Sequence, residues 1–214
     1  MIRRASRWLL FLFALTSPAA ITAHPHAWID LRVSLAFDAA QALPTMRQEW
    51  AFDPSYSHLL LEEIDHREPG LSLHEALQLI GARLLANLRG HDYFTEFLVG
   101  SERLRVPDAA AAELVWEGQR LILRFELPLA DVRPGAEPVF SYRVYDPSYW
   151  IEVLHDPNDV IHLKGGEHCE HRLQAPRRDP TLVAYAASLD RDQRAPVENL
   201  GSRFAETVVV RCSR

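Results

Sequence analysis

The chain has 214 residues, with 23 Lys and Arg against 29 Asp and Glu, and a formal net charge of −6 when its histidines are neutral. An acidic surface of this kind lacks the footprint of a nucleic-acid binder, does not suit anionic lipid, and favours cations. The length fits one sizeable domain or a domain with an insertion, and the single lysine, Lys164, reads as genome base composition and not as function.

Residues 1–23 read as a cleavable export signal. Arg3, Arg4 and Arg7 give a positive start, Trp8 to Leu15 is unbroken apolar sequence, and small residues with Pro18 lead to Ala23. A membrane span needs roughly 20 apolar residues, and neither this run nor any later one reaches that length. Cleavage after Ala19 places Ser17 and Ala19 at the small-residue positions, whereas cleavage after Ala23 places Ile21 and Ala23 there, so the small-residue rule alone slightly favours Ala19. The mature protein is expected in the periplasm, without stable membrane insertion.

The mature region, 24–214, opens with a strand over 27–37. Trp28, Asp30, Arg32 and Ser34 face one way and Ile29, Leu31, Val33 and Leu35 the other, the alternation of a half-buried strand. A second strand is expected at 46–52. Asp53-Pro54 then fits an N-cap followed by proline at the first helical position. Ser72-Leu73-His74-Glu75 is a capping box, Leu73, Leu77, Ile80, Leu84 and Leu88 repeat at helical spacing, and Gly90 ends the run. His74 lies off that apolar stripe, on the solvated side. Strands are then expected at 95–100, 111–117, 119–127, 138–145, 149–155, 159–163, 168–174 and 204–212, with a hairpin turn at Glu117-Gly118-Gln119. Residues 175–200 read as a loop with a short helix at Leu182 to Leu189. One segment occurs twice: Phe52-Asp53-Pro54-Ser55-Tyr56 and Tyr145-Asp146-Pro147-Ser148-Tyr149. The expected fold is mainly β, an antiparallel β-sandwich with a helical insertion at about 54–92. Immunoglobulin-like topology is one candidate form of it.

Two cysteines, Cys169 and Cys212, are most simply one disulfide in an oxidising compartment. It closes a loop of about 44 residues, worth roughly 4 kcal/mol on the chain-entropy account, and ties the last strand to the body.

The sharpest chemical feature is His24-Pro25-His26. Residues two apart on an extended chain point the same way, so the two imidazoles converge on one ion. A cut after Ala23 adds the α-amine of His24, and near-neutral pKa values leave much of both groups unprotonated at pH 7. Pro25 has no amide hydrogen to lose, which blocks the square-planar backbone site that a third-position histidine otherwise offers and leaves side-chain ligation. Nitrogen donors suit zinc, nickel, cobalt or copper and do not suit magnesium or calcium. Asp146 is the preferred fourth ligand because it lies between two strands at a sheet end. Asp53 is its twin, and both also read as turn-opening residues. Glu152 and His155 are further candidates, on opposite faces of one strand. A second cluster, Gly165-Gly166-Glu167-His168-Cys169-Glu170-His171, is a weaker site that an oxidised Cys169 cannot serve. His58, His66 and His91 read as loop or helix-end residues, and His162, between Ile161 and Leu163, as a partly buried strand residue. There is no nucleophile elbow, phosphate-binding glycine loop or H-E-x-x-H helix, and the chain is not expected to be an enzyme.

Together, His24-Pro25-His26-Ala27-Trp28-Ile29-Asp30, Trp50-Ala51-Phe52-Asp53, Tyr93-Phe94-Thr95, Tyr145-Asp146-Pro147-Ser148-Tyr149 and Cys212 resemble a bacterial periplasmic family catalogued as domain of unknown function 1007, also described as the periplasmic component of an uncharacterised transport system. The resemblance runs over nearly the whole mature chain. In such proteins the H-P-H follows the last Ala of the signal, which selects Ala23. The resemblance implies an accessory role beside nickel/cobalt-type (NicO-like) inner-membrane transporters or in zinc homeostasis. Some relatives carry a calcium-loop-like segment before the capped helix. Here Arg67 and Pro69, within Asp65 to Ser72, replace oxygen donors and argue against calcium. The leading expectation is a divalent transition-metal binder that exchanges metal with such a transporter. A copper histidine-brace redox enzyme and a metal-free protein-binding sandwich are the alternatives.

Overall fold

In chain order the elements are β1 (Ala27–Ala36), β2 (Leu43–Phe52), α1 (Pro54–Arg67), α2 (Leu73–Arg89), β3 (Thr95–Val99), β4 (Glu102–Leu104), β5 (Ala110–Glu117), β6 (Arg120–Val132), β7 (Phe140–Val144), β8 (Ile151–His155), β9 (Ile161–Lys164), β10 (Cys169–Gln174), α3 (Pro180–Ser188) and β11 (Thr207–Cys212). They come from a computed structural model that describes residues 25–38, 43–68, 70–132, 140–159, 161–189 and 198–213. The proposed leader and His24 lie outside these residues.

The alternation read in the first strand has a structural counterpart. Ile29, Leu31, Val33 and Leu35 are buried, while Trp28 is exposed and Asp30, Arg32 and Ser34 are half-buried on the opposite face. One sheet runs β5-β6-β2-β1-β8, with β9 also paired to β1, and the other runs β10-β11-β7-β3-β4. Inward side chains of both sheets form one core, with Trp50, Phe125, Leu31 and Leu123 from the first and Phe97, Phe140, Tyr142, Val208 and Val210 from the second. The architecture is a mainly β sandwich. Within it β1 departs from the antiparallel pattern, since it pairs parallel with β8 (Ala27↔Ile151 to Leu31↔His155) and then with β9 (Val33↔Ile161 to Ala36↔Lys164). The turn at Asp156-Pro157-Asn158 lets the chain continue in the same direction, so two short strands serve as one interrupted neighbour of β1. The Asp156 carboxylate accepts from the Asn158 N–H and from Arg32 on β1, which pins the turn to its partner strand.

The outward face of the first sheet carries charges in cross-strand register. Arg32 pairs with Asp156 and Glu49, Glu49 with Arg124, and Arg124 with Glu113 directly opposite and with Glu117 further along β5. Opposite charges directly across a sheet are mutually favourable, and this alternating stripe explains why the face stays solvated. The carboxyls of Asp156 and Glu117 sit below their ordinary range. Hydrogen bonding is the main cause in both, from the Asn158 backbone N–H to Asp156 and from Arg124 to Glu117.

The two helices follow β2 directly. Asp53 caps α1, and the Ser72–Glu75 capping box of α2 is fully formed, with Gly90 at the other end. At β5–β6, Gly118 and Gln119 both take positive φ (56° and 67°), as a two-residue primed hairpin turn requires. Cys169 and Cys212, opposite one another on β10 and β11, are bonded as a disulfide. Among the described residues no helix is long and apolar enough to cross a membrane.

Candidate functional site

The parallel and antiparallel neighbours of β1 bring the two Asp-Pro-Ser-Tyr segments to the same end of the same strand. On one side Asp53 ends β2 opposite Trp28. The Asp53 N–H donates to the Trp28 carbonyl at 2.9 Å, and the Trp28 N–H donates back to Asp53 Oδ2 at 3.1 Å. On the other side Trp150 leads into β8, and its carbonyl accepts the His26 N–H at 2.8 Å. His26, the second histidine of the H-P-H motif, is thus held where the two repeats flank the strand. Its ring lies 5.4 Å from that of Trp150, and Trp150 meets Tyr56 of α1 edge to face at 5.7 Å. These rings close over the strand end and leave His26 half-buried.

Each repeat spends its aspartate on its own turn. Asp53 Oδ1 accepts from the Tyr56 N–H at 2.9 Å, as an N-cap does. Asp146 is buried, at 6% exposure. Its Oδ1 accepts the Ser148 N–H at 2.9 Å, its Oδ2 accepts the Ile151 N–H at 3.0 Å, and the Ser148 hydroxyl lies 2.8 Å from both oxygens. Asp146 is therefore brought to the His26 end of the sheet, but both its oxygens hold the turn that presents Trp150. A backbone-only neighbour completes the packing. A Cβ at Gly201 would stand 1.9 Å from the Asp146 carbonyl oxygen, and the Gly201 N–H donates to the Pro147 carbonyl at 3.1 Å.

The remaining candidates go elsewhere. His155 is five residues further along the sheet than the position beside His26, roughly 16 Å away at strand rise. Its ring is buried, with Nδ1 2.9 Å from Glu206 Oε2 and Nε2 3.2 Å from the Tyr142 hydroxyl. A carboxylate only accepts, so the Nδ1 facing Glu206 carries a proton. Burial pushes the Glu206 carboxyl up, but the hydrogen bonds from the His155 ring and backbone outweigh it and leave the group below its ordinary range. Burial pushes the Tyr142 phenol well up, and the Glu206 charge adds to this. Glu152, on the opposite face of β8, is bonded to Arg178 at 3.0 Å and to the Tyr149 hydroxyl at 3.3 Å. His162 is paired with Asp159 at 2.5 Å and lies opposite Ser34, at the far end of β1. In the 165–171 cluster Cys169 is oxidised, and Glu167 and His171 are exposed. His58 Nδ1 contacts the Pro54 carbonyl.

Among the described residues no three His, Cys, Asp or Glu side chains converge on a metal-sized point, and His24 lies outside those residues. Residue-by-residue reading missed the meeting of the repeats around His26. The duplication itself was the available signal.

The chain is similar to an uncharacterized protein of Haemophilus influenzae, 24% identical over 196 residues and spanning 90% of this chain and 92% of that protein. No solved structure matches. A family profile described as "Protein of unknown function (DUF1007)" matches residues 9–212, nearly the whole chain, and the protein belongs to that family.

Proposed function

We propose that the protein is a periplasmic accessory protein that binds a divalent transition metal for an inner-membrane transporter of the nickel/cobalt (NicO-like) or zinc type. The observation that carries this reading is His26, fixed by a main-chain bond and an aromatic wall at the first turn of the sheet, directly after His24-Pro25. His24 and His26, with the α-amine released by cleavage after Ala23, are the proposed ligands. Asp146 serves this site by fixing the turn that holds Trp150, since its oxygens are committed. The remaining donors are then nitrogens, a set that suits zinc, nickel, cobalt or copper. The acidic net charge supports attraction of cations to the surface.

The same nitrogen-only donor set is the observation that favours a copper histidine brace as the second reading. Neither His155, bound to Glu206 and Tyr142, nor His162, at the other end of β1, supplies a further nitrogen to it.

Calorimetric titration of the exported protein with zinc, nickel and cobalt tests the proposal. The expected result is one site whose affinity falls at least tenfold in His24→Ala and in His26→Ala. Unchanged affinity in both variants refutes the site.

A further inference from the structure

The helical insertion carries a second surface that the metal reading does not use. Four of the six large apolar side chains exposed on the described surface belong to α1, α2 and their junction: Leu59, Leu71, Leu73 and Leu79. At the hairpin tip Leu61 and Ile64 of α1 and Leu71, Leu73 and Ala76 of the α2 side line a groove. Among the described residues its other lining side chains are Glu62, Asp65 and Glu68, and no basic one lines it. Glu68 is paired with Arg83 at 2.5 Å. Among the described residues Glu62 and Asp65 have no ion-pair partner. Leu61, Ile64 and Asp65 stand at i, i+3 and i+4, one stripe of α1, and Glu68 is its C-cap residue.

We propose that this groove docks a basic, leucine-rich amphipathic segment of a partner protein. Aliphatic side chains of the segment fill the space between Leu61, Ile64, Leu71 and Leu73, and its Arg or Lys residues meet Glu62 and Asp65. Apolar floor and acidic rim together select this occupant. A second copy of the chain set face to face brings like carboxylates together in a two-fold contact, and an anionic lipid surface is repelled by the same rim. The groove takes up the second half of α1, from Leu61, about 12 Å beyond Asp53, to the end of the helix, about 21 Å beyond it. Docking there leaves the His26 end of the sandwich uncovered and does not depend on the metal reading.

The test uses the exported full chain and a fluorescein-labelled 14-residue helical peptide of Leu and Arg in an amphipathic pattern, followed by anisotropy. The Leu/Arg peptide is expected to bind, to weaken as salt rises, and to lose at least tenfold in affinity to Glu62→Lys/Asp65→Lys and to Leu71→Ser/Leu73→Ser. The milder Glu62→Gln/Asp65→Asn chain is expected to lose at least threefold. The same change of net charge placed at Glu102→Lys/Glu167→Lys, both exposed and away from the groove, is expected to change affinity less than twofold. Melting curves confirm that each variant is folded. The proposal is overturned by no binding to the native chain, or by equal binding of a peptide with Glu in place of Arg. Equal loss in both Lys variants would also overturn it, as would a dimer of the native chain that Leu71→Ser/Leu73→Ser abolishes.

Discussion

The two Asp-Pro-Ser-Tyr segments are identical in sequence and differ in structure. Asp53-Pro54-Ser55-Tyr56 opens a helix, with the carboxylate reaching the N–H three residues on. Asp146-Pro147-Ser148-Tyr149 makes a tight turn, with the carboxylate reaching two and five residues on, and Tyr149 takes a left-handed backbone (φ 61°). The residues downstream of each segment decide the outcome. Ser57 onward continues as α1, whereas Ile151 onward pairs with β1 as a parallel neighbour. The costly left-handed residue is held by tertiary contacts, because Tyr149 stacks on Phe204 at 3.9 Å and its hydroxyl reaches Glu152. Short sequence sets a turn, and long-range pairing sets which turn it is.

Gly201 crowds only the second segment. Gly201→Ala drives a methyl into the Asp146 carbonyl and is expected to cost about 3 kcal/mol, lowering the melting temperature by roughly 6–12 °C. A melting temperature within 2 °C of the native value would mean the turn tolerates displacement. The aspartates come next. Asp146→Ala strips a buried turn of its acceptors, at about 3 kcal/mol, whereas Asp53→Ala removes a helix cap, at about 1 kcal/mol. Equal losses in denaturant melts would contradict the distinction drawn between them.

The smallest effect is in acid, on the β8 side. Glu206 has a folded pKa held below its ordinary value of about 4.3. Its contribution is therefore present above that value and is lost as pH falls through the lower folded value. Stability measured between pH 7 and pH 3 is expected to fall less steeply in Glu206→Gln than in the native chain. An unchanged slope would remove Glu206 from the acid response.

Legibility followed the range of the interaction. The β1 alternation, the capping box from Ser72 to Glu75 and the Gly118 hairpin are local, and sequence periodicity and turn chemistry display them. The disulfide was legible because two cysteines leave one pairing. Parallel pairing of β1 with β8 and β9 was not, since it joins residues more than a hundred positions apart and leaves no periodic trace. His155 looked like an available ligand because its partner Glu206 is 51 residues away and its other neighbour, Tyr142, comes from the opposite sheet. The position of Asp146 between two strands is local and legible, but the demands of its own turn on both oxygens depend on Ser148 and Ile151 taking this one conformation.

The proposed metal site joins His26, presented by that turn, to His24. Nitrogen-15 NMR of imidazole signals during zinc addition reads this directly in protein whose amino terminus has been verified as His24. The His24 and His26 ring signals are expected to move together and saturate at one equivalent, with those of His155 and His162 unmoved. Stationary His26 signals, or a response confined to His168 and His171, would contradict it.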